Sequence, residues 1–401
     1  MRSIPVAIVG TGSIAKTHVE ALRALGDQAS IIAAADIDPA SARAFCARHH
    51  IPRHYESLAE LLTADRPELV HVCTPPGAHA SLALECLQAG CSVLVEKPPG
   101  LSLRDVHTLA AAEGGNGPWF ATVFQHRFGS GARRLRKMIR DGVLGRPLVA
   151  LCTTAWFRDQ AYFDVPWRGR WDTEGGGPTM GHGIHQIDLL AYLLGDWQEV
   201  SAIARRQARR TQTEDVSLAH VTFANGAVAS VVNSVLSPRE ETYLRFDFDR
   251  ATVELTHLYG YSDDSWRVTP APGWDSDVRA AWTAGEQGTA SGHRAQFAAV
   301  LHALRQGTAP PVESGSALSS MQLIAGIYAS ALLGRPVTPA DLGPQSPFYR
   351  QMHGDGAGLA RLAGAVHEQN HLLVSSAGPD GAVAVSCRGS GSAVGSRGAG
   401  P

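Results

Sequence analysis

The chain opens with an apolar run, a glycine-rich turn and an apolar pattern of helical spacing. These are Ile4 to Val9, then Gly10-Thr11-Gly12-Ser13-Ile14-Ala15, then Lys16 to Leu22. No other stretch restricts the fold as strongly. Gly10 allows a tight turn, and Gly12 lets backbone approach a pyrophosphate. Small Ala15 lets helix and strand pack, and the helix N-terminus faces the phosphate charge. The pattern G-x-G-x-x-A is weak alone. Here it follows a strand, opens a helix and precedes an acid by about twenty residues. That acid, Asp36, closes the run Ile31 to Ala35, where a carboxylate bonds both ribose hydroxyls. The expected dinucleotide contacts are therefore Gly10, Thr11, Gly12, Ser13, Ile14, Ala15, Asp36 and Ile37. A carboxylate at 36 would repel a 2′-phosphate, and Ile37 rather than an arginine follows it. NAD is expected over NADP.

Strands alternate with helices from residue 1 to about 122. After Asp36, Ala40 to His49 reads as a helix and Tyr55 to Leu62 as another. Leu69 to Cys73 reads as a short buried strand, Ala78 to Ala89 as a helix and Ser92 to Val95 as a strand. Leu103 to Glu113 is a helix and Trp119 to Val123 a sixth strand. This alternation implies a doubly wound parallel sheet, whose ligands bind outside the carboxyl ends of the strands. The motifs at 10–15, 36, 74–79, 96–98 and 125–127 all fall at those ends.

The pattern changes after Phe128. A basic helix over Arg133 to Asp141 reads as a solvated face or a phosphate binder. Seven β-prone segments then dominate, between Leu148 and Val268, with helices at His185 to Leu194, His293 to Arg305 and Ala317 to Leu333. Asn225-Gly226 supplies the left-handed backbone of a hairpin turn. Strands with few intervening helices imply a mostly antiparallel sheet. The expected fold is α/β, with a Rossmann domain over 1–122 and an α+β substrate-binding and oligomerisation domain over 123–343. A C-terminal extension over 344–401 is expected to be largely disordered after about residue 375, because Gly, Ser and Arg dominate its end.

Lys+Arg 35 against Asp+Glu 37 leaves a net charge of −2, which gives no electrostatic case for nucleic acid or an anionic membrane. No apolar run approaches the ~20 residues of a membrane span. The six cysteines show neither C-x-x-C nor zinc spacing. No metal is expected, and a reduced, cytoplasmic protein is.

Lys97 closes a strand between Glu96 and Pro98, at the cofactor edge. There it either hydrogen-bonds a reacting oxygen, with a pKa depressed by burial, or is a surface lysine paired with Glu96. The polar-aromatic loop of Asp164, Trp167, Arg168 and Trp171 suits a polyhydroxylated ligand or is a loop pinned by buried tryptophans.

The first domain, Glu96-Lys97-Pro98, Gly175-Gly176-Gly177 and Gly183-Ile184-His185-Gln186-Ile187-Asp188 together resemble the glucose–fructose oxidoreductase/inositol dehydrogenase/rhizopine catabolism (Gfo/Idh/MocA) family over roughly residues 4 to 340. The resemblance implies a nicotinamide-dependent oxidoreductase acting on a hydroxyl or keto carbon of a sugar, cyclitol or similar compound. It implies His185 as general base and Lys97 as its partner, both facing the substrate. It places Thr74, Pro75 and His79 beside the cofactor, with Glu96, Lys97, Gln125, His126 and Arg127. It brings His293 and Gln296 towards the pocket, and it implies a homodimer or homotetramer paired through open sheets. Many members carry an aspartate four residues before the histidine, where this chain has Gly181. His182, Asp188, Asp172 or Glu174 could substitute. His182 is also a substrate contact, with Trp167 and Arg168. Two alternatives stay open: a redox-neutral NAD-dependent lyase or glycosidase working through transient sugar oxidation, and a non-catalytic NAD(P)-sensing regulator or binding protein.

Overall fold

The computed structural model describes residues 2–363. The first sheet comprises β1 (Ile4–Val9), β2 (Ala29–Ala35), β3 (Arg53–Tyr55), β4 (Leu69–Val72), β5 (Ser92–Val95) and β6 (Phe120–Thr122). Every pairing is parallel, and the order is β3-β2-β1-β4-β5-β6. The connections carry α1 (Ser13–Arg23), α2 (Pro39–Arg48), α3 (Leu58–Ala64), α4 (His79–Gln88) and α5 (Leu103–Ala112). Strand direction out of β1 and β4 reverses sideways, which opens a crevice at their carboxyl ends. Val6, Ile8, Val70 and Leu94 are fully buried, each contributing about 1.5–3 kcal/mol of transfer free energy.

One boundary moves. Tyr55 does not begin a helix: Arg53–Tyr55 pairs with Ala33–Ala35 as an edge strand. The helix starts only at Leu58, where the Ser57 hydroxyl accepts the Glu60 N–H at 3.2 Å.

The chain continues through α6 (Ser130–Arg140), β7 (Pro147–Phe157), α7 (Gln160–Phe163), α8 (Pro178–Gly181) and α9 (Ile184–Leu194). Then come β8 (Trp197–Arg205), β9 (Val216–Phe223), β10 (Val228–Ser234), β11 (Leu236–Phe248), β12 (Ala251–His257) and β13 (Trp266–Pro270). Helices α10 (Asp275–Ala284), α11 (His293–Gln306), α12 (Ser314–Leu333) and α13 (Pro347–Arg350) follow. The seven strands form a sheet ordered β13-β12-β11-β7-β10-β9-β8, antiparallel except for the β7–β10 pair. In the hairpin between β9 and β10 only Gly226 is left-handed (φ +88°). Asn225 instead uses its side chain, donating to Leu194 O at 2.8 Å and accepting from Ala227 N at 3.1 Å.

One face of this sheet is covered by α9 and α12. Helix α12 is apolar over 20 residues and long enough to span a membrane, contrary to the expectation from sequence, yet it is a core helix. Met321 and Leu323 to Leu332 are buried, and the helix packs on α5, α9 and β8. The opposite face leaves Val149, Leu151, Ile203, Leu218 and Val228 exposed. The basic helix α6 binds acids within the protein: Arg134, 3% exposed, pairs with Asp263 at 2.8 Å, and Arg133 with Glu286 at 3.0 Å. Beyond residue 344, Phe348, Met352 and Leu362 are buried, so the extension packs on the body at least to 363. The expected disorder past about 375 lies outside the described residues.

Candidate active site

A cleft of about 930 Å³ begins at the β1–α1 turn, crosses the carboxyl ends of β4, β5 and β6, and ends over β7 and α9. Gly10 must be glycine, with φ +87° and a notional Cβ only 2.8 Å from the Cys73 carbonyl carbon. Gly12 caps α1 without any side-chain hydrogen bond, and a Cβ there would meet nothing within 4 Å. Free N–H groups therefore face open space at the helix N-terminus, as a pyrophosphate requires. Ser13 and Ile14 line this space, whereas Ala15 is buried against the sheet. At the end of β2 the Asp36 carboxylate accepts Thr11 N at 2.7 Å, Thr11 Oγ1 at 2.8 Å and Asp38 N at 3.0 Å. The acid is held beside the turn. These residues fit a dinucleotide. The Ile37 side chain, next to Asp36, is 95% exposed.

Beneath the middle of the cleft runs a buried polar chain. His71 Nδ1 lies 2.9 Å from His18 Nδ1, and His18 Nε2 lies 2.9 Å from Glu96 Oε1, which also meets His293 Nε2 at 3.1 Å. Burial pushes the Glu96 carboxyl up, but the bonds from His18 and His293 win and hold it well below the usual carboxylate range. His18, Glu96 and His293 are of metal-ligand type, but their separations are those of hydrogen bonds. Glu96 Oε2 accepts the Lys97 N–H at 3.2 Å, so the network fixes the strand end that presents Lys97. The Lys97–Pro98 peptide is cis. His79 ties the two neighbouring loops together, with Pro98 O and Thr74 O each 2.7 Å from a ring nitrogen.

Lys97 and His185 meet at the far end. Lys97 Nζ donates to Gly181 O at 2.7 Å. Burial lowers the Lys97 pKa, against the opposing pull of Glu96 and Glu174. His185 sits on the first turn of α9 and stacks on His126 with ring centroids 5.0 Å apart. Its Nδ1 is buried with no partner among the described residues. Burial, then the Lys97 charge, push its pKa well below 6.5, so the imidazole is a neutral base. His126 stays fixed between Gln186 Nε2 (3.2 Å) and Tyr259 O (2.9 Å). His182 reaches Tyr162 Oη at 3.3 Å and meets the edge of Trp156. Arg168 is layered between Tyr162 (3.9 Å) and Trp167 (4.2 Å), donates to the Tyr162 hydroxyl and pairs with Glu174 at 3.6 Å.

The glycine run places these groups. Glu214 is fully buried and accepts Gly177 N and Thr179 N, both at 3.1 Å, and the Tyr328 hydroxyl at 2.9 Å. A Cβ on Gly177 would collide with the Glu214 carbonyl, and one on Gly183 with the Asn233 amide. Only glycine lets the turn into α8 and α9 come this close to the sheet.

The cleft wall thus joins Gly12, Ser13, Ile14, Thr74, Pro75, His79, Glu96, Lys97, Gln125, Trp167, Arg168, His182 and His185. Arg127, Asp188 and Asp172, all expected at the site, are engaged elsewhere. Arg127 donates to Asp188 through Nε (2.8 Å) and Nη2 (2.5 Å), and Asp188 also accepts from Ser320 at 2.7 Å. Arg127 is therefore no cofactor contact, and Asp188 is no support for His185. The two satisfy each other inside the protein, where an unpaired charge would be costly. Asp172 is spent on Arg170 at 3.0 Å. The sequence reading passed over Trp156, Arg158 and Tyr259, which line the substrate end just beyond or within the ends of β7 and β12. The strand-end rule applied to the first sheet would have marked them in the second.

Residues 4–121 match a sequence model described as "Oxidoreductase family, NAD-binding Rossmann fold", and residues 132–257 match the "GFO/IDH/MocA C-terminal domain". The chain belongs to the Gfo/Idh/MocA family. This Gfo/Idh/MocA protein is similar to D-apiose dehydrogenase of Paraburkholderia graminis, 26% identical over 360 residues, which cover 85% of this chain and 91% of that one. It is 28% identical to D-glucoside 3-dehydrogenase of Escherichia coli over 284 residues, 65% of this chain and 79% of the relative. Among solved structures it resembles the WlbA dehydrogenase of Bordetella pertussis in complex with NADH and UDP-GlcNAcA. The TM-score is 0.74 at 28% identity, covering 84% of this chain and 98% of that one. As a Gfo/Idh/MocA member it is a dehydrogenase or reductase of CH–OH groups with an NAD-binding Rossmann fold.

Proposed function

We propose that the protein transfers a hydride between NAD and one carbinol carbon of a sugar, cyclitol or similar polyhydroxylated compound. The observation that carries this reading is the meeting of Lys97 and His185 at one end of a cleft whose other end is the Gly12 turn. Gly12, Ser13 and Ile14 would hold the pyrophosphate, Asp36 the ribose, and Thr74, Pro75 and Gln125 the nicotinamide side. The nicotinamide, when bound, takes or gives the hydride. In the oxidative direction neutral His185 removes the hydroxyl proton, and the Lys97 ammonium stabilises the negative charge that develops on the oxygen. The Trp156, Tyr162 and Trp167 faces with Arg168 suit a ring that is apolar above and hydroxylated at its edge. Asp36 favours NAD over NADP.

The test is a panel of sugars, polyols and nucleotide sugars read at 340 nm with each cofactor. Absorbance should accumulate with NAD and at least one member. Conversion without net absorbance would point to the redox-neutral lyase, and no turnover across the panel would sink the dehydrogenase reading.

On the same footing, residues 1–122 form the nucleotide domain and 123–343 the substrate domain. The described cysteines are free and buried, in keeping with a reduced, cytoplasmic setting. The exposed apolar face of Val149, Leu151, Ile203, Leu218 and Val228 suits a second copy of the chain. A monomer by light scattering would contradict that pairing.

A further inference from the structure

Glu96, Glu174, Arg168, His79, His126, His182 and His185 line the cleft with Lys97. Of these only two are acids, and Glu96 is ionised but bound in place: its Oε1 is shared by His18 and His293, and its Oε2 faces the Lys97 backbone N–H. Glu174 differs. It is 5% exposed, lines the cleft with Lys97, Gly181 and His182, and comes from the loop before α8. Gly169 N–H fixes its Oε2 at 2.6 Å. Its Oε1 meets Arg168 at 3.6 Å and points to Gly181. A Cβ built on Gly181 would touch Glu174 Oε1 at 3.4 Å and nothing else within 4 Å. The carboxylate therefore fills the space that a side chain at 181 would enter, directly beside the carbonyl that Lys97 holds.

We propose that Glu174 is a positioning residue that supplies, from this loop, a second buried negative charge that joins Glu96 in keeping Lys97 an ammonium ion while the reacting oxygen is bound. The proposal rests on the reading of Lys97 as the group that polarises that oxygen. Its chemistry is electrostatic: a buried carboxylate near an ammonium ion favours the charged lysine. Burial alone works the other way on both groups, raising Glu174 and lowering Lys97.

The experiment compares the wild type with Glu174→Gln, Glu174→Asp and Glu174→Gln/Gly181→Asp. Gly181 is not among the glycines of positive φ, so aspartate suits its backbone. The first readout is the pH dependence of Lys97 acylation by acetic anhydride, followed by peptide mass. It needs no substrate. Glu174→Gln should make Lys97 reactive about one pH unit lower, a tenfold change in its protonation equilibrium. Glu174→Asp should keep the wild-type value, and the double variant should return towards it. The second readout is the alkaline limb of kcat, which should move with the acylation profile while the NAD Kd stays within about twofold of wild type. An unshifted Lys97 profile in Glu174→Gln, equal shifts in Glu174→Gln and Glu174→Asp, or no recovery in the double variant would each overturn the proposal. Should the wild type turn over no sugar, that failure belongs to the functional reading, and acylation alone decides the role of Glu174.

Discussion

Asp36 shows how much one carboxylate can do at the end of a strand. Its two oxygens gather three donors from the glycine turn and from the start of α2, so its charge is fixed where a ribose would lie. Replacing Asp36 with serine should weaken NAD about tenfold and relieve the exclusion of NADP, as measured by the two Kd values; an unchanged NAD Kd with NADP still excluded would contradict this role. Asp188 makes the opposite case. It follows His185 by one turn, which is why the sequence marks it for catalysis, yet its partner Arg127 is 61 residues away and invisible to any local pattern. Asp188→Ala should leave the Arg127 guanidinium buried and unpaired and cost about 3–5 kcal/mol in denaturant unfolding. A variant as stable as wild type but slow in turnover would restore Asp188 to the active site.

At the scale of elements, the turn Gly175 to Gly183 decides where His185 points. Adding one methyl at Gly177 drives it into Glu214, which holds the turn by two backbone N–H groups. Gly177→Ala is expected to cost about 1–3 kcal/mol and to lower turnover, because α9 must shift. Unchanged melting and turnover would show that the close approach does not matter. The sequence made the βα units legible because each carries its own period and its own stop. Gly10 to Ala15, Asp36 and Lys97 all fell where strand-end logic put them. It could not show that β7 pairs in parallel with β10, since strand order is set by long-range packing rather than local pattern. Nor could it separate β3 from α3, because three edge residues carry too little pattern to be read as a strand. Trp156, Arg158 and Tyr259 went unmarked because none of the quoted motifs falls on the ends of β7 or β12.

The molecule as a whole buries His18, His71, His79, His126, His182 and His185, all with pKa values lowered first by burial. A histidine whose folded pKa lies below its unfolded value stabilises the fold fully only above pH 6.5. As pH falls through that value the unfolded chain takes up protons that the folded one refuses. Each such group removes up to about 1.4 kcal/mol per pH unit, so the melting temperature should fall steadily from pH 7 to pH 5. A flat profile over that range would mean that these imidazoles are charged in the fold. The same burial keeps His185 neutral and ready to accept a proton, so the fold's sensitivity to acid and its capacity as a base have one cause. In this account the first sheet holds the cofactor at its strand ends while α9, packed on the second, brings His185 to the cleft that Lys97 lines. That claim is tested most directly by measuring turnover at 340 nm beside calorimetric NAD affinity in the wild type, Lys97→Met and His185→Asn. Turnover should fall by about 10²–10⁴ in each variant while the NAD Kd changes by no more than about threefold. Wild-type turnover in either variant, or a loss fully accounted for by weaker NAD binding, would contradict it.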